Sequence, residues 1–146
     1  QREAAIAAEE LFKRAQKEEI HLWGISGYRS YKRQEELFSS ANGRSGVAPP
    51  GCSEHQTGLA LDISCPDENY ELEESFAKTK EGCWLARHCA LFGFILRYPK
   101  NKEEITGFPF EPWHIRYTGI GLASSLTLTG MTLEEYYERG LHLPPK

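Results

Sequence analysis

Several things are scarce in this 146-residue chain, and each scarcity removes a class of function. No apolar run approaches the roughly 20 residues needed to cross a bilayer. The opening residues, QREAAIAAEELFKRAQ, lack the apolar centre of a signal peptide, so for an exported protein a signal or membrane anchor is expected upstream of residue 1. The 17 basic residues are scattered against 21 acidic ones, giving a net charge of −4, and no basic stripe marks a nucleic-acid surface. The four cysteines, at 52, 65, 83 and 89, include no C-x2-C pair of the kind used by zinc ribbons and redox sites. A Cys52–Cys65 bridge and buried free thiols both remain open; a Cys83–Cys89 bond does not suit two residues on different faces of one helix. There is neither an internal repeat nor a low-complexity tract.

What is present fits one compact domain. A hydrophobic content of 40% and a charged content of 26% are ordinary for a globular chain of this length, and 13 glycines with 8 prolines imply many turns. Helical periodicity runs over 4–19, through 28–40 with Ser30 as a candidate N-cap, and over 79–92 with Gly93 as its stop. Short apolar runs at 21–25, 59–64, 94–98 and 113–117 read as strands. Residues 42–51, NGRSGVAPPG, read as an exposed loop and 66–75 as a polar excursion. Two short helices are expected after Gly119, the second opened by the capping-box pair Thr132 and Glu135. Strands interleaved with helices without a βαβ rhythm indicate an α+β fold, with helices packed on a small, mainly antiparallel sheet.

The chemistry concentrates in two segments. Ser53-Glu54-His55-Gln56-Thr57-Gly58-Leu59-Ala60-Leu61-Asp62 sets a loop histidine seven residues before an aspartate. That aspartate lies between Leu61 and Ile63 on a strand, so its side chain leaves the face opposite theirs. A buried carboxylate there needs compensation, which a divalent cation supplies. Glu111-Pro112-Trp113-His114 adds a second histidine and another carboxylate. Two imidazoles and one aspartate, His55, His114 and Asp62, would leave zinc an open fourth position, as in catalytic rather than structural sites, although such ligands admit other divalent ions. Glu111 could then take a proton from water and pass it to a leaving amine. Residues three apart on a regular strand face opposite ways, so Glu111 and His114 share a site only if the chain bends, and Pro112 supplies a bend. Strand spacing sets Arg116 on the side of His114 and makes it a candidate substrate contact near the metal. Gln34, on the second helix, is a weaker candidate for substrate contact. Tyr28, Tyr31, Trp113 and Tyr117 suit either cleft walls or core packing. Gly58 suits a close backbone approach between loop and strand. His21, His88 and His142 have no partner at ligand spacing.

Taken together, Ser53, His55 and Asp62 (Ser-x-His-x6-Asp) followed by Glu111 and His114 (Glu-x2-His) resemble the VanY-type D-alanyl-D-alanine carboxypeptidases. These are a branch of the LAS metallopeptidases that act on bacterial peptidoglycan. The flanks SEHQTGLALDIS and EPWHIRYTG match beyond the ligands, SGYRSYKRQ at 26–34 resembles the family's arginine motif, and the likeness extends over about residues 20–120. It implies the zinc peptidase fold shared with Hedgehog signalling domains and one Zn2+ held by His55, Asp62 and His114. It further implies Glu111 as general base, Arg29 on the scissile carbonyl or a substrate carboxylate, and Ser53 hydrogen-bonded to substrate. A planar guanidinium matches a terminal carboxylate in two-pronged fashion. The expected partner is a peptidoglycan stem peptide, met outside the cytoplasmic membrane by a monomer whose single catalytic domain spans residues 1–146. D,D- and L,D-carboxypeptidase, D,D-dipeptidase and endopeptidase activities share this chemistry, and a zinc-holding module without turnover is the alternative of another class.

Overall fold

The structure is a computed structural model that describes residues 1–41 and 46–140. Residues 42–45 of the expected loop, and His142 within 141–146, lie outside the described residues. The chain opens with helix α1, Arg2–Lys17, whose Ala4, Leu11 and Ala15 form the buried stripe. Strand β1, Trp23–Ser26, follows, then α2, Tyr31–Ala41, whose first turn is capped where Ser30 Oγ accepts from the Arg33 amide at 3.2 Å. After β2, Ala60–Ser64, the polar excursion forms two single-turn 3-10 helices, Pro66–Glu68 and Glu74–Lys78. Helix α3, Lys80–His88, begins at Thr79, whose hydroxyl accepts from the Gly82 amide, and tightens into a 3-10 turn over Cys89–Phe92. Strand β3 is Phe94–Tyr98 and β4 is Glu111–Tyr117. The loop expected between them contains a short helix, α4, Glu103–Thr106. Helices α5, Ile120–Thr129, and α6, Leu133–Glu138, complete the described chain, and α6 carries the full Thr132/Glu135 capping box.

The four strands form one antiparallel sheet in the order β1-β2-β4-β3. Alternation along β2 sends Leu61 and Ile63 to one face and Asp62 and Ser64 to the other. On the apolar face Ile63 and Ile115 pack with Leu11 of α1, Trp84 and Leu85 of α3, and Phe76. Burying each of the larger aliphatic side chains contributes roughly 1.5–3 kcal/mol. The indole of Trp84 donates to Glu18 Oε2 at 2.6 Å and ties α3 to the end of α1. A smaller cluster, with Ile95, Ala123, Leu126, Leu133 and Tyr136 among its members, seats α5 and α6 beside β3. The opposite sheet face is left for polar side chains. The four cysteines stand as free thiols, with Cys65 and Cys89 buried and Cys52 exposed, so the Cys52–Cys65 bridge is not formed.

Candidate active site

The two histidines and Asp62 reach one point by separate routes. Ser53 precedes a single 3-10 turn, Glu54–Thr57, which Gly58 ends in the left-handed conformation at φ +71°, and this turn aims His55 inward just before β2 begins. Strand register does the rest: Asp62 is the direct cross-strand partner of His114, so both side chains project from the same face. His55 Nε2 lies 3.1 Å from Asp62 Oδ2, and His114 Nδ1 lies 2.9 Å from Asp62 Oδ1. All three residues are buried, and one donor atom from each falls within 4.8 Å of the others.

This donor set fits a tetrahedral divalent ion. Ligand atoms on zinc stand roughly 3.3 Å apart, and the two histidine–aspartate contacts, at 3.1 and 2.9 Å, lie close to that spacing. His55 Nδ1 lies 2.7 Å from the Gly27 carbonyl, a pure acceptor, which keeps a hydrogen on Nδ1 and leaves Nε2 as the nitrogen that would bind a metal. Without an ion the same atoms form a charged cluster. Burial opposes ionisation of Asp62, but hydrogen bonds from His114 and His55 outweigh it and hold the carboxylate at a pKa of about 2. Burial likewise disfavours charge on His114, yet its bonds to Asp62 and Glu54 push it up to about 9.

Glu111 reaches the cluster because β4 is irregular. Leu96 pairs with Ile115 but Tyr98 pairs with Glu111, so two steps on β3 are matched by four on β4, with Pro112, which has no N–H for the ladder, inside the excess. Glu111 Oε2 thereby comes to 3.9 Å from His114 Nδ1. Its carboxyl is pushed up to about 7, chiefly by burial and further by the charges of Asp62 and Glu54, against the pull of His114. A carboxylate of that basicity suits a proton acceptor working near neutral pH.

These groups line a cleft of about 620 Å³ that Arg29 and Ser53 also border. Arg29 Nη1 donates to Gln34 Oε1 at 2.8 Å, Nη2 donates to Ser26 Oγ at 3.0 Å, and Nη2 lies 4.0 Å from Asp62 Oδ2. Gln34 is not on the cleft wall; fully buried, it donates to the Ala48 carbonyl at 2.6 Å and steadies Arg29 from behind. Arg116 lies on the far side of Glu54, its Nη1 3.0 Å from Glu54 Oε1, in a separate hollow with Leu59 and Tyr117. Trp113 lines the cleft, Tyr117 packs on Phe94 with ring centroids 5.3 Å apart, and Tyr28 and Tyr31 are exposed. Among the cleft residues that the sequence did not single out, Glu54 and Tyr98 lie nearest the histidines. Glu54 stands inside the Ser53–Asp62 segment but at no ligand spacing, and Tyr98, its ring 5.0 Å from that of His114, reads as one more apolar strand residue.

A family model described as VanY, D-alanyl-D-alanine carboxypeptidase, matches residues 1–120. The chain belongs to this family. Among VanY-type relatives, it is 46% identical over 145 residues to the putative carboxypeptidase YodJ of Bacillus subtilis, covering 94% of this chain and 53% of that protein. It is 37% identical to the bifunctional D-Ala-D-Ala dipeptidase and carboxypeptidase VanXYC of Enterococcus gallinarum, covering 78% and 65%. The chain thus spans about half to two thirds of the length of these two curated relatives. Among solved structures, the LdcB LD-carboxypeptidase superposes with a TM-score of 0.89 at 46% identity, covering 94% of this chain and 68% of that one. A vancomycin-resistance D,D-pentapeptidase VanY solved with Zn(II) gives 0.75 at 35%, covering 92% and 81%.

Proposed function

We propose that this VanY-family chain is a single-domain zinc peptidase, spanning residues 1–146, that removes the terminal D-alanine from peptidoglycan stem peptides. The observation that carries the reading is the convergence of His55 Nε2, Asp62 and His114 Nδ1 on one point of the cleft, with Glu111 beside them. His55, Asp62 and His114 would hold the ion. Zinc in such a site supplies a Lewis acid that acidifies water and polarises a carbonyl. Glu111 takes the proton of the attacking water and delivers it to the departing amine of D-alanine. Arg29, already oriented by Gln34 and Ser26, presents its guanidinium to the substrate's carboxylate or to the oxygen that gains charge as the amide is attacked. Ser53, buried in the cleft lining, offers a hydroxyl to the peptide. Arg116, turned away from the cleft, is better read as support than as a substrate contact.

The stronger likeness to LdcB than to VanY, in both superposition and identity, favours the L,D form of the activity, on tetrapeptide stems. A stem peptide of the cell wall places the site of action outside the cytoplasmic membrane. All the invoked side chains come from one chain, which suits a monomer. The test is to incubate the zinc-loaded protein with defined tetrapeptide and pentapeptide stems and weigh the products. Loss of one D-alanine from the tetrapeptide is expected; cleavage in mid-stem, or binding without cleavage, would overturn the proposal.

A further inference from the structure

Glu54 neighbours His55 in sequence, but its carboxylate serves the other histidine. Glu54 Oε2 lies 3.4 Å from His114 Nε2, the ring nitrogen that faces away from Asp62. Glu54 Oε1 accepts from Arg97 Nε at 2.7 Å and lies 3.0 Å from Arg116 Nη1. The remaining two nitrogens of Arg97 form a two-pronged pair with Glu134 of α6, at 3.1 and 2.5 Å. The guanidinium of Arg97 also sits 4.9 Å from the centre of the Tyr98 ring. Two carboxylates and two guanidiniums form a neutral, largely buried chain running from α6 to the back of His114.

An imidazole can bind a metal through a nitrogen only if that nitrogen carries no hydrogen. His114 faces an ionised carboxylate at each ring nitrogen, Asp62 at Nδ1 and Glu54 at Nε2; with a metal at Nδ1 in place of that proton, Glu54, which accepts and cannot donate, would keep the remaining hydrogen on Nε2. The Gly27 carbonyl does the same for His55 from the opposite nitrogen. A free glutamate would be a poor anchor; one clamped by two arginines, one of them fixed in turn by Glu134, has a set position. We infer that Glu54 is a positioning residue for His114, and that Arg97 and Glu134 hold it there. On this view α6, which lies beyond the stretch matched by the family model, supports the metal site.

The inference rests on the metal-site part of the proposed function, but its test reads metal binding and not hydrolysis, so a wrong substrate leaves it standing. In the full chain, zinc affinity is measured by chelator competition, and the absorption spectrum of the Co2+-loaded protein and the unfolding temperature of the metal-free form are recorded. Glu54→Leu should weaken zinc binding by about 10–100-fold and alter the Co2+ spectrum. Glu54→Gln, which keeps an acceptor oxygen, should recover part of that loss. Glu134→Gln, on a partly exposed helix position, should weaken binding by about threefold, a small share of that outer-shell effect. Should Glu54→Leu fail to fold, Glu54→Gln and Glu134→Gln decide. Folded variants at Glu54 that bind zinc within twofold of the parent with an unchanged Co2+ spectrum would overturn the inference. Unchanged binding in Glu134→Gln alone would overturn the role given to α6.

Discussion

Replacing Gln34 with methionine tests whether the Arg29 side of the cleft is built as described. Methionine preserves the length and lack of branching of glutamine, so the perturbation is confined to two hydrogen bonds. One is charge-assisted, from Arg29 Nη1 to Gln34 Oε1 at 2.8 Å; the other is neutral, from Gln34 Nε2 to the Ala48 carbonyl at 2.6 Å. With about 1.5–3 kcal/mol for the first and about 0.5–1.5 for the second, the gross loss is roughly 2–4.5 kcal/mol. Burying a thioether in place of an amide returns about 1 kcal/mol, so the metal-free variant should unfold in urea with a stability lower by about 1–3.5 kcal/mol. Arg29 keeps Ser26 and Asp62, so activity should drop but survive, with kcat/KM on a D-alanine-terminated stem down by about 3–10-fold. Because the effect on activity runs through Arg29, it should vanish in an Arg29→Ala background. Unchanged stability of Gln34→Met, or an additive effect on kcat/KM in the double variant, would refute the reasoning.

Two further outcomes follow from the packing and the charges. A β-carbon at Gly82 would lie 1.9 Å from the Phe76 carbonyl oxygen and 2.7 Å from its carbon, both backbone, so Gly82→Ala must push α3 off the preceding turn. The expected loss is about 3 kcal/mol or more in urea unfolding, and a loss under about 1 kcal/mol would contradict the contact. The pH dependence of the chelated protein has a definite sign. Glu111 and His114 are both raised when folded, to about 7 and about 9, so their contributions are lost as pH rises through those values. Asp62 and Glu54 are both held at about 2, so theirs are lost as pH falls toward that value. Metal-free stability should therefore peak in mild acid and decline toward pH 9, while zinc affinity climbs over the upper part of that range as binding displaces the His114 proton. A metal-free stability that rises from pH 5 to 9 would contradict these assignments.

Part of the site was legible in strand periodicity, and the expected ligand set came from the joint motifs Ser-x-His-x6-Asp and Glu-x2-His and the family likeness they carry. Asp62 between Leu61 and Ile63 announces its face, and a histidine and a carboxylate flanking Pro112 require a bend, which the structure supplies as extra residues of β4 opposite β3. The fold class followed from the same periodicities, and the capping box placed α6. The positions of Gln34 and Arg116 were not legible. Whether a polar side chain faces a cleft or another polar side chain is decided by tertiary contacts: Gln34 meets Ala48, fourteen residues on, and Arg116 of β4 meets Glu54 of the 3-10 turn before β2. The Glu54–Arg97–Glu134 chain is hidden for the same reason, since its members lie 43 and 37 residues apart. The short α4 escaped because four residues carry no period.

The central claim is that one zinc ion and Glu111 together perform the hydrolysis, and the kinetics of Glu111→Gln at known zinc content test it most directly. Glutamine keeps the volume of a buried side chain and lies outside the proposed ligand set, so zinc should remain at one per chain while kcat on the tetrapeptide stem falls by about 10²–10⁴-fold. Hydrolysis at the parent rate by zinc-loaded Glu111→Gln would contradict the account.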